Sequence, residues 1–156
     1  MTRSPASTES LICPAISRVT SEKIASPGML SHHQGPNNMQ GLAAELNDYS
    51  DLKDGWDGPN SLGPKQADID TAQSLLLKLP AGLPLPKAMI ASSGSVGLYW
   101  NTDHAFADIE IEGGGKLSLF TRRKSGSQEE SFHDDVLVNT LTSAWLSEKL
   151  MILTTA

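Results

Sequence analysis

Four carboxylates gather in one short stretch of the chain: Asp103, Asp108, Glu110 and Glu112. The last three alternate with Ala107, Ile109 and Ile111, so on an extended strand they share one face at a repeat of about 7 Å. Such strict alternation predicts a half-buried strand with its apolar set turned inward. A row of carboxylates on the other side can bind a divalent cation, move protons, or present a negative stripe to a basic partner. It can equally be the solvated face of a sheet, relieved across strands by Lys116, Arg122 and Arg123. No histidine accompanies the row at a ligand-like spacing except His104, which is read on the opposite face, and this weighs against metal binding and catalysis. If the neighbouring strands pair in register, Tyr99, Phe106 and Phe120 project from that same face. Rings there give large rigid contact area suited to recognition, unless a further layer such as the N-terminal segment covers them.

Other chemistry-bearing residues are sparse. His32-His33 is a doublet in a breaker-rich stretch, without further ligands beside it, and His133 adjoins Asp134 and Asp135 without an assigned role. Cys13 is the only cysteine, which excludes an internal disulfide and a cysteine-based zinc site and fits a reducing, cytoplasmic setting. The Ser92-Ser93-Gly94-Ser95 and Gly113-Gly114-Gly115 stretches lack the helix and lysine of a phosphate cradle and read as hairpin turns. Nucleophile-elbow, Walker and HExxH patterns are absent, and no cofactor or metal is expected. A net charge of −6 argues against a direct nucleic-acid interface and suits either a basic protein partner or plain solubility. The Leu11–Ile16 run, broken by Cys13 and Pro14, is too short for a signal-peptide core, and no apolar run approaches the roughly 18 residues of a membrane span.

The elements that must position these groups follow from the patterning. Hydrophobic residues make up 38% of the 156, a share low enough to suggest that part of the chain adds nothing to a core. Residues 1–37, rich in Ser, Thr, Pro and Gly, read as a weakly ordered tail, and residues 38–156 as one domain. Met29 and Met39 precede the patterned region, so a later start is an expectation. From Met39 to Leu52, Leu42, Leu46, Tyr49 and Leu52 mark one helical face, with Asn37 or Asn38 as cap and a stop at Asp54-Gly55. Gly55, Trp56, Asp57 and Gly58 then form a structural hinge, the ring turned inward and Asp54 or Asp57 tying the turn. A second helix enters through Ser61–Pro64 with Pro64 in its first turn and stops at Pro80. Its buried face is Ile69, Ala72, Leu76 and Leu79, widened by Leu75 and Leu77.

A proline-rich link over 81–86 leads to strands at 87–92, 96–100, 105–112 and 116–123, with a shorter fifth at 128–132. Short turns force an antiparallel meander. Asp134 or Asp135 caps a last helix running to about Leu150, with Val136, Thr140, Leu141, Ala144, Trp145 and Leu150 inward and Val138, Leu146 and Met151 as further contacts. The fold class is α+β, two-layered, with an antiparallel four- to five-stranded meander and helices packed on one face.

With the Gly55-Trp56-Asp57-Gly58 turn, the Leu77-Lys78-Leu79-Pro80 helix end, the proline link and the Leu98-x-Trp100 … Glu110-Ile111 strand pair in place, the chain resembles a loose group of small uncharacterised bacterial proteins. The resemblance covers about residues 42–122, and Pro59-Asn60-Ser61 depart from the usual continuation. It implies a fold rather than an activity, together with a role in conflict between mobile elements and their hosts.

These readings converge on a non-catalytic acidic protein that binds another macromolecule, as inhibitor, antitoxin-like or accessory protein. Tyr99, Phe106, Asp108, Glu110, Glu112 and Phe120 form the expected contact surface. The alternative is a metal-dependent hydrolase or nuclease using the acidic strand 108–112.

Overall fold

Asn38 sets the start of the first helix. In the computed structural model, of which residues 37–155 are described, its Oδ1 accepts the Gly41 N–H at 2.8 Å. This satisfies one of the donors that a helix N-terminus leaves unpaired. The helix α1 spans Met39–Asp48 and tightens into a 3₁₀ turn, Tyr49–Asp51, so it ends short of the expected Asp54-Gly55. Leu42, Leu46 and Tyr49 are buried, as their spacing predicts, and Leu52 is half-buried. The tail reading, with Cys13, His32 and His33, falls on residues outside those described.

The second helix, α2, spans Gln66–Lys78. Lys65 is its cap, which leaves Pro64 just outside the helix rather than in its first turn. Ile69, Ala72, Leu75 and Leu76 are buried against the sheet. Leu77, expected to widen that face, is 89% exposed. At 3.6 residues per turn it points away from Leu75, towards the opposite side of the helix. Gln73 Nε2 donates to Ala43 O at 2.9 Å and joins the helices, while Lys78 Nζ donates to Leu141 O at 3.1 Å. Past the proline link, Trp100 Nε1 donates to Pro84 O at 2.7 Å, so the link is tied to the sheet beside a buried ring.

The sheet comprises β1 (Lys87–Ile90), β2 (Val96–Asn101), β3 (Ala105–Gly113), β4 (Lys116–Arg123) and β5 (Glu130–Leu137), in sequence order. Every neighbouring pair is antiparallel. The register places Leu98 opposite Ile109 and Ile109 opposite Leu119, a continuous apolar row on the inner face. Helix α2 packs on β2 and β3, α1 lies against α2 and β1, and the C-terminal turn reaches β3 and β4. The result is a two-layer α+β fold with its core between helices and sheet.

The C-terminal quarter departs from expectation. Asp134 and Asp135 do not cap a helix: they belong to β5, which runs on to Leu137. Pairing on either side, His133 with Leu119 and Val136 with Leu117, carries the strand through an irregularity at Asp134-Asp135, where local patterning alone suggests a helix start. Thr142 is the true cap, its Oγ1 accepting the Trp145 N–H at 3.1 Å, and α3 is only Ser143–Lys149. Val138, Leu141, Leu146, Leu150 and Leu153 enter the core. Val136 and Trp145 are half-buried, whereas Thr140, Ala144 and Met151 face outward. A 3₁₀ turn, Val138–Thr140, separates strand from helix and rotates the chain relative to the expected helical face.

Candidate functional site

Strand alternation gives the outer sheet face its residues. Opposite Asp108 stand Tyr99 on β2 and Phe120 on β4, and opposite Phe106 stand Asn101 and Arg122. Phe106 therefore sits diagonally between the other two rings. Its centroid lies 6.5 Å from that of Tyr99 and 6.3 Å from that of Phe120. Both separations are within the range of attractive ring pairs. The three predicted rings thus form one contiguous group of half-buried side chains.

Asp108, Glu110 and Glu112 share that face, as the alternation predicts. The Glu110 carboxyl is held above its ordinary range by burial, then by the charges of Asp108 and Glu112. Glu112 is also raised, by desolvation and then by Asp134 and Asp135 across the sheet. Of the three cations expected to relieve the row, Arg122 stands opposite Phe106 on this face, Lys116 feels Glu112 while pairing with Asp135, and Arg123 turns to the C-terminal segment. Lys116 Nζ pairs with Asp135 at 2.8 Å, and Arg123 Nη1 donates to Thr155 O at 3.2 Å. Asp103 lies in the exposed turn before β3, apart from the row. Among the described residues, no group of three or more His, Cys, Asp or Glu is placed to hold a metal ion.

Phe132 extends the aromatic group and was not among the expected contacts. It lies directly opposite Phe120 and is 60% exposed. The fifth strand was the available signal, since pairing it with β4 carries the ring row one strand further. His133 turns the other way, its ring edge-on to Trp145 at 5.5 Å and its Nε2 3.1 Å from Ser131 Oγ.

The Gly55–Gly58 loop is far from featureless. Gly55 and Gly58 adopt φ of 90° and 111°, conformations open to glycine at little cost. Trp56 packs on the core and donates Nε1–H to Leu62 O at 2.9 Å. Asp54 Oδ1 accepts the Gly63 N–H at 2.9 Å, and Ser61 Oγ accepts the Asp57 N–H at 2.8 Å. These bonds close the loop on itself beside the first hairpin.

Among the described residues, no helix is long and apolar enough to cross a membrane. The chain matches no protein-family description, no curated protein and no solved structure.

Proposed function

We propose that this chain is a non-catalytic binding protein whose outer sheet face engages a basic macromolecular partner, in the manner of an inhibitor, antitoxin-like or accessory protein. The carrying observation is the contiguous Tyr99–Phe106–Phe120 group, flanked on β3 by Asp108, Glu110 and Glu112. Rigid rings supply contact area at low entropic cost, and desolvated aromatic anchors dominate most interfaces. The carboxylates and the net charge of −6 steer a cationic partner towards the protein. A basic partner also relieves the mutual repulsion that raises the Glu110 carboxyl.

The test is a pull-down from native lysate with wild type and an Asp108→Lys/Glu110→Lys variant, both checked for folding by circular dichroism. A specific basic protein recovered with wild type and lost with the variant supports the assignment. Equal recovery from the two folded proteins sinks it.

A further inference from the structure

The backbone of β5 has two sides, and only one of them meets β4. Arg123 N–H donates to Glu129 O at 2.8 Å, and the register sets Glu130 opposite Arg122 and Ser131 opposite Thr121. Hydrogen-bonded and non-hydrogen-bonded pairs alternate along an antiparallel ladder. Ser131 and His133 therefore direct their N–H and C=O groups to β4, while Glu130 and Phe132 direct theirs outward. Among the described residues, β4 is the only strand paired with β5. An extended edge with outward donors and acceptors is a template for another strand.

The surroundings of this edge suit a bound segment on both sides. Phe132 stands 60% exposed on the outer face next to Phe120. On the inner side a groove of about 300 Å³ runs past Glu129, Glu130, Ser131, Glu148, Lys149 and Met151. Side chains of an added strand alternate between two such faces, so one set would meet the ring and the other the groove. Charge then selects the occupant. Glu129, Glu130 and Glu148 line the groove beside Arg123, which donates to Thr155 O, and Lys149, which is paired with Glu148 at 2.8 Å; Asp134 follows on the same strand, and the whole chain carries −6. Antiparallel self-pairing about Phe132 would set Glu130 against the other copy's Asp134, which disfavours a second copy in that register, and self-association is an outcome of the test. The accepting stretch is also short. The register shifts between Leu117 and Leu119, opposite Asp134 and Asp135, and Asp135 takes a φ of 55°.

We infer that the Glu130–His133 edge of β5 accepts a short, extended, lysine- or arginine-bearing segment of a partner protein as a sixth strand. This deepens the proposed function and rests on its basic partner, but it places the backbone contact at the edge rather than on the open face.

The experiment uses the full chain, isotopically labelled, and three capped hexapeptides: alternating Lys-Val, the same peptide with N-methyl groups on alternate amides, and alternating Glu-Val. NMR titration and amide exchange provide the readouts. The inference expects the Glu130 and Phe132 amides to exchange freely in the protein alone and to slow at least tenfold with saturating Lys-Val peptide. The N-methylated peptide binds about tenfold more weakly because it cannot complete the ladder, and the Glu-Val peptide does not bind. A Phe132→Pro variant, which removes an outward N–H of the edge strand and leaves Asp108 and Glu110 in place, stays folded by circular dichroism and loses Lys-Val binding; retained binding would overturn the inference. Slow exchange of both amides in the free protein, a dimer by sedimentation, or equal affinity for the methylated peptide would overturn the inference. Shifts confined to Tyr99 and Phe106 would overturn it too, while leaving the face assignment standing.

Discussion

The two faces of the sheet are built from the same strands, yet they obey different rules. On the inner face Leu98, Ile109, Leu117 and Leu119 are wholly buried and could exchange for one another only at a packing cost. On the outer face, one residue away along each strand, Phe106, Asp108, Glu110 and Phe120 are half-buried and set rings beside like charges. The inner face gains stability from its composition. The outer face gives some up, since mutual repulsion and burial both oppose ionisation of Glu110. A sheet that tolerates that cost on one side carries two kinds of information in a single alternating pattern.

Substitutions on β3 test the contrast directly. Ile109→Ala should cost about 2–5 kcal/mol in denaturant unfolding, as expected for a cavity in a packed core. Phe106→Ala should cost less, roughly 1–2 kcal/mol, chiefly through the lost ring contacts; a loss as large as that of Ile109→Ala would erase the distinction between faces. Glu110→Gln should act in the opposite direction and raise stability slightly at neutral pH. Because the folded carboxyl titrates higher than the unfolded one, the native chain holds more protons between the two values. Stability contributed at this site is therefore present below about pH 4 and falls as pH rises through the raised value. The glutamine variant should lose that part of the slope, and its advantage should vanish at the acid end. An unchanged pH profile would mean that Glu110 is not strained by its neighbours.

The central strands were legible because alternation maps onto faces without reference to anything distant. Val96, Leu98, Trp100, Ile109, Ile111, Leu117 and Leu119 all turn inward as their spacing predicts. Asn38 was legible for a similar reason, since capping depends on residues within one turn. The segment from Glu130 to Leu141 was not. Asp134 and Asp135 carry the chemistry of a helix cap, but β4 recruits them into a strand, and the register shift there breaks the alternation that would have marked it. Thr142, the actual cap, has an ordinary local sequence around it. The same blindness hid Phe132, which gains its place beside Phe120 only through pairing. In the candidate surface, residues on β3 could be read directly, and those dependent on strand register could not be ranked until the register was known.

The loop before α2 has a bearing on the order in which the molecule assembles. Leu62 N–H reaches Ser92 O at 2.8 Å, and a Cβ placed on Gly94 would come within 2.8 Å of Gly63 O. Loop and hairpin turn are thus seated backbone against backbone, with no room between them. A hairpin closes in about 1–10 μs and a helix faster still, because their contacts are local. The contact between Leu62-Gly63 and the β1–β2 turn can form only once that turn exists, so it is expected to follow the hairpin in refolding.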